Sequence, residues 1–87
     1  MDADKDKLLS QVRTLKSEFV ALSKKKPNDQ VNKFKLKYVN QTILASNEYL
    51  KKNKPYTDFE AFNEDELPSN SDVLMMLDLY FNSLCHA

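Results

Sequence analysis

Apolar residues recur at helical spacing along the first third of the chain. Between residues 5 and 25 they follow steps of 4, 3, 4 and 3, at Leu8, Val12, Leu15, Phe19 and Leu22. Steps of this kind form the apolar seam of an amphipathic helix that packs like a coiled coil. The sequence therefore predicts a first helix over about 5–25.

The stretch KFKLKYV, residues 33–39, alternates lysine with apolar residues as a strand would. A helical projection at 100° per residue organises many more positions, because residues 31–53 then form two apolar faces. The first face holds Val31, Phe34, Tyr38, Ala45 and Tyr49, and the second holds Leu36, Val39, Ile43 and Leu50. Leu44 alone interrupts the polar arc. The pattern predicts a second helix over about 28–53 that contacts two neighbours.

The segment between Pro55 and Pro68 allows two interpretations. Thr57 is followed three residues later by Glu60, which is a capping-box pattern and favours a short helix over 58–66. The same residues also fit an extended loop that the aromatic side chains Phe59 and Phe62 hold in place.

A last helix is predicted over about 72–86, with Ser69, Ser71 or Asp72 as its N-cap. Its apolar side chains cover nearly the whole circumference, and such a helix is normally buried on all sides. These side chains are Val73, Leu74, Met75, Met76, Leu77, Leu79, Tyr80, Phe81 and Leu84. Because the other short helices cannot cover all of them, we expect a further contact with another chain or with residues beyond Ala87.

Composition narrows the fold class. The chain of 87 residues contains no glycine, which tight β-hairpins usually need. We therefore predict one all-α domain, 1–87: a small bundle of three long helices, with the short helix as an optional fourth. Cys85 and His86 are the only residues of their types, which excludes an internal disulfide and a zinc site built from Cys and His. No metal or cofactor is expected.

Charge is distributed unevenly although the net charge is zero. Residues 1–54 carry 13 Lys and Arg against 6 Asp and Glu, whereas residues 55–87 carry 7 acids and neither Lys nor Arg. The acidic part can fold back on the basic part, or one of the two can meet a partner of opposite sign.

The lysine-rich segment 24–54 supports an alternative function. Lys33, Lys37 and Lys51 share one helical face in projection, so they could bind the phosphates of a nucleic acid or an anionic membrane. A solvated helix face explains the same pattern, and Arg13 is the only arginine available for reading bases.

No catalytic motif is present, and adjacent residues such as Cys85 and His86 point about 100° apart on a helix. We therefore expect a non-enzymatic protein–protein interaction module, an adaptor or complex subunit, that presents an apolar helical surface to a partner helix or peptide. The partner is another protein in a hetero-complex or a second copy in a homodimer. The predicted contact residues are Phe34, Tyr38, Leu74, Met75, Tyr80 and Phe81.

The predicted compartment is the cytosol or the nucleus. The longest apolar run, Val73 to Leu77, is far shorter than the roughly 20 residues of a transmembrane helix, and the first residues contain no apolar export segment. A single free thiol agrees with a reducing environment.

Overall fold

The structure is a computed structural model that describes residues 3–87, so positions 1 and 2 of the predicted domain lie outside it. Within those residues it contains three α-helices: α1, Ala3–Lys25; α2, Lys33–Leu50; and α3, Asn70–Cys85. A 3₁₀ turn, Lys51–Asn53, follows α2, and no strand occurs in this part of the chain. The all-helical prediction is confirmed. Only α1, with 23 residues, is clearly long, because α2 has 18 and α3 has 16.

One apolar core joins the three helices. The seam of α1 faces it, with Leu8, Val12 and Phe19 buried and the other seam positions half-buried. From α2 it receives the second predicted face: Leu36, Val39, Ile43 and Leu50. From α3 it receives Val73, Met76, Leu77, Tyr80 and Leu84. Each fully buried side chain of this kind stabilises the fold by about 1.5–3 kcal/mol.

The start of α2 corrects the predicted boundary at residue 28. The Oδ1 of Asn32 accepts a hydrogen bond from the backbone N–H of Lys35 at 3.1 Å and caps the helix there. The preceding connector is held on the start of α3 instead, because the N–H of Val31 donates to the carbonyl of Pro68 at 2.9 Å. The N–H of Asn70 donates in turn to the carbonyl of Asp29 at 3.0 Å.

The predicted short helix over 58–66 is not confirmed, since this segment contains turns but no helix. Two asparagines of α2 bind its backbone. Asn40 exchanges two hydrogen bonds of 2.9 Å with the backbone of Phe62, and Asn47 donates to the carbonyl of Glu60 at 2.8 Å. Backbone groups engaged by side chains in this way are not available for a helical ladder.

The last helix begins at Asn70, two residues before the predicted start. Ser69 is the N-cap, and a capping box with Asp72 closes the first turn. Ser69 was one of three candidate caps that the sequence left open. The capping box therefore decides between them.

The acidic part of the chain folds back on the basic part, as one of the two interpretations of the charge pattern expected. Lys16 pairs with Asp78 at 2.8 Å, and Lys54 pairs with Glu60. A third pair, Lys35 with Glu18, joins α2 to α1. Such exposed pairs are worth only about 0–1 kcal/mol each, so they orient the segments more than they stabilise them.

Lys51 ends α2 in a backbone conformation that favours glycine, with φ 55° and ψ −118°. Replacing Lys51 with glycine should raise the free energy of unfolding by about 1 kcal/mol, because glycine has no Cβ to strain this turn. That gain corresponds to a rise in Tm of about 4–8 °C for a domain of this size. Thermal unfolding followed by circular dichroism measures it. Lys51→Ala keeps the Cβ and should give no such gain; equal effects of the two substitutions would contradict the strain.

Candidate interaction surface

Tyr80 lies in the core and not on a contact surface, which corrects the prediction for this residue. Its side chain is 0% exposed, and its hydroxyl donates a hydrogen bond to the Oδ1 of Asn47. Burial raises the pKa of Tyr80 to about 12, and the Asn47 hydrogen bond lowers it only in part. The ring is covered because Phe59, from the segment after α2, packs beside it at a centroid distance of 6.4 Å.

Phe81 and Leu74 are half-buried and pack against the chain's own core. Lys16 Nζ lies 4.9 Å from the centroid of the Phe81 ring, and Arg13 Cζ lies 5.7 Å from it. These cation–π contacts cover Phe81 with side chains of α1. Of the six predicted contact residues, Met75 is the exposed one on α3, at 57%. Some of the α3 surface was expected to need a further contact, and of its apolar side chains Met75 is exposed while the others are buried or half-buried by the chain itself.

The exposed aromatic residues of α2 form a pair. Phe34 is 69% exposed and Tyr38 is 42% exposed, and their rings meet edge to face with centroids 5.1 Å apart. Lys37 Nζ lies 5.6 Å from the centroid of the Tyr38 ring. The pair belongs to the first predicted face of α2, opposite the face that the core takes up. That face is only partly exposed, because Val31 precedes the helix and is buried in the core and Tyr49 is half-buried against it.

Around this pair, α2 presents a continuous exposed surface, which we call the outer face. Phe34, Tyr38, Gln41, Ala45 and Glu48 are all exposed and follow steps of 4, 3, 4 and 3. Lys37 and Leu44, seven residues apart, flank them on one side. Leu44, which interrupts the polar arc in projection, is 48% exposed. The outer face thus runs along one side of α2, with Phe34, Tyr38 and Ala45 as its apolar members and Gln41 and Glu48 as its polar members.

An open groove of about 980 Å³ runs between α1 and α2 beside the outer face. From α1, Leu8 and Gln11 line it, and from α2, Tyr38, Ala45 and Tyr49 line it. Its charged lining residues are Asp4, Lys7, Glu48 and Lys51. Because Tyr38 and Ala45 belong to both features, the groove and the outer face form one surface.

The predicted lysine face is only partly realised. Lys33 and Lys37 are exposed near the start of α2, and neither forms an ion pair within residues 3–87. Lys51 does not continue their row, because it leaves helical geometry at its positive φ and lines the groove. Projection of an unbroken helix placed Lys51 with the other two, and the helix ends one residue earlier.

Asn40 and Asn47 position the acidic segment, as we call residues 55–68 between the 3₁₀ turn and α3, and sequence reasoning missed them. Both are buried, at 4% and 9% exposed, seven residues apart on one side of α2. In projection both fall at the edge of the polar arc, next to the second apolar face, and that position is the only signal in the sequence. Their burial requires hydrogen-bond partners, which the backbone of Phe62 and Glu60 supplies.

No family model, curated protein or solved structure matches this chain. Among residues 3–87, no helix is both long and apolar enough to cross a membrane. The same residues hold no group of three or more His, Cys, Asp or Glu side chains placed to hold a metal ion. Within residues 3–87, the outer face of α2 and the groove beside it combine exposed apolar side chains with an open cavity.

Proposed function

We propose that this chain is a non-enzymatic protein–protein interaction module, an adaptor or complex subunit. It presents the outer face of α2, together with the α1–α2 groove, to a helix of a partner protein. The observation that carries the proposal is the concentration of exposed apolar side chains on this face. Phe34, Tyr38 and Leu44 are three of the six large exposed apolar residues within 3–87.

Two properties of the outer face fit a helical partner. Its steps of 4, 3, 4 and 3 match the spacing at which one helix packs against another. Its aromatic pair supplies the kind of anchor that contributes most of the binding energy at protein interfaces. Singly exposed apolar residues are common on protein surfaces, whereas contiguous apolar patches mark contact sites.

We place the module in the cytosol or the nucleus. Cys85 is exposed and forms no disulfide. An exposed free thiol is most stable in a reducing compartment, which supports this placement.

Site-specific photo-crosslinking in cells tests the proposed function. A photoreactive phenylalanine analogue at position 38 should give discrete protein adducts, and Phe34→Ala should reduce them because the neighbouring aromatic anchor is lost. The same analogue at position 75 is the control, since Met75 is as exposed but lies on α3. Equal adducts at both positions, or none at position 38, would contradict the proposed surface.

Ionic strength separates this function from the binding of nucleic acid or an anionic membrane through Lys33 and Lys37. When cell extracts are irradiated at about 0.1 M and at about 0.5 M salt, adducts that depend on an apolar surface should form in similar yield. The affinity for phosphates falls steeply over such a range. Binding to a nucleic acid or an anionic membrane releases counterions, and this release is less favourable when the salt concentration in solution is high. A much lower yield of position-38 adducts on irradiation at the higher salt concentration would favour the lysine-based alternative.

A further inference from the structure

We infer that the partner helix is α2 of a second copy of this chain, packed antiparallel on the outer face around a two-fold axis at Gln41. The inference rests on the proposed function, because it uses the same surface. A two-fold interface requires a surface that is its own complement. The outer face meets this requirement in both the sizes and the charges of its side chains.

The side chains of the outer face are large before Gln41, at Phe34 and Tyr38, and smaller after it, at Ala45 and Glu48. In an antiparallel pair centred there, Tyr38 of one copy faces Ala45 of the other, so the largest central side chain meets the smallest. Phe34 then reaches the end of the second helix, beside Glu48. The contact extends over residues 34–48, or about 21 Å of helix. Large side chains opposite small ones are what close helix packing requires.

The side chains that flank the outer face are also complementary when the two copies of α2 are paired antiparallel around Gln41. Lys37 lies opposite Leu44 of the second copy, where its aliphatic stem can cover the apolar side chain. Lys33 lies opposite Glu48 of the second copy, and the two-fold axis repeats this ion pair. Within residues 3–87 neither Lys33 nor Glu48 has an ion-pair partner. This charge complementarity favours a second copy as the occupant.

The charges also determine the orientation of the two helices. A parallel pair would place Lys33 against Lys33 and Glu48 against Glu48, and like charges in such positions destabilise the pairing. The antiparallel pair puts opposite charges together at both ends. The uneven charge along α2 therefore selects one arrangement of the two copies.

A charge-swap experiment by sedimentation equilibrium tests the inference on the purified chain. The wild type should approach twice its monomer mass of 10.1 kDa as concentration rises. Lys33→Glu and Glu48→Lys should each weaken self-association at least about tenfold, since each creates two repulsive pairs. The double variant Lys33→Glu/Glu48→Lys should recover the wild-type affinity, because the pairs are restored with their signs exchanged. Met75→Ala on α3 should leave the association unchanged.

The possible failures are distinguishable from one another. A wild-type chain that stays monomeric at every concentration overturns the second copy as partner, whereas adducts from position 38 to a different protein would still support the proposed function. Self-association that the double variant does not recover overturns the antiparallel register. Circular dichroism at the lowest usable concentration verifies that each variant folds, so that a loss of association is not mistaken for unfolding.

Discussion

Replacing Phe19 with alanine should lower the free energy of unfolding by about 3–5 kcal/mol, whereas the same substitution at Phe34 should change it by less than about 0.5 kcal/mol. Phe19 is 0% exposed in the core, and Phe34 is 69% exposed on the outer face. The first substitution leaves a cavity between helices, and the second removes a ring that is mostly in water. Chemical denaturation followed by circular dichroism at low protein concentration measures both.

The pair of variants tests the packing of α1 and α2 directly. A domain of this kind is stable by only about 5–15 kcal/mol, so Phe19→Ala should remove a large share of its stability. Low concentration matters because self-association would add stability that depends on the amount of protein. Similar losses for both variants would show that the outer face of α2 is covered by the chain itself, contrary to the structure.

Replacing Asn47 with alanine should lower the free energy of unfolding by about 3 kcal/mol. The side-chain amide donates to the carbonyl of Glu60 at 2.8 Å and accepts a hydrogen bond from the Tyr80 hydroxyl. Its loss leaves the buried hydroxyl without this acceptor and the carbonyl of Glu60 without this donor, while the two bonds between Asn40 and Phe62 still hold the segment on α2. Each buried polar group left without a partner costs about 1–3 kcal/mol. Urea denaturation of the variant and the wild type measures the difference.

A double-mutant cycle isolates the Asn47–Tyr80 hydrogen bond. Tyr80→Phe alone should cost about 1 kcal/mol, and its cost should largely disappear in the Asn47→Ala background, because the bond is already absent there. Asn53→Ala, in the exposed 3₁₀ turn, is the matched control and should stay within about 0.5 kcal/mol of the wild type. Strictly additive effects of Asn47→Ala and Tyr80→Phe would show that the two side chains do not interact.

Spacing along the chain was sufficient to predict the helices but not their exact ends. The seam of α1 and both faces of α2 follow from positions that repeat every three or four residues. The boundaries of α2 depend on Asn32 at its start and on the strained conformation of Lys51 at its end. Asn32 is one of several residues that could cap the helix, and nothing in the local sequence marks Lys51 as the residue that adopts a positive φ.

The candidate surface was predictable in the same partial way. Of the predicted contact residues, Phe34, Tyr38 and Met75 are exposed, which a contact surface requires, whereas Tyr80 belongs to the core and Phe81 is covered by cations of α1. The coverage of α3 was underestimated because the segment after α2 was not counted as part of the core. Phe59 and its neighbour Phe62 pack there without forming a helix, with ring centroids 5.1 Å apart.

By itself, then, the sequence determined that this chain is helical and that α2 carries two apolar faces, because helical periodicity and the lack of glycine are local properties. Only the tertiary structure decided which of those faces is buried. The Leu36 face packs in the core because α1, α3 and the asparagine-bound segment together enclose that side of α2. Of the Phe34 face, Phe34, Tyr38 and Ala45 are left to solvent, whereas Val31 is buried and Tyr49 is half-buried against the core. The buried face is determined by contacts between residues that are distant in sequence, and the spacing of apolar residues along the chain does not specify these contacts.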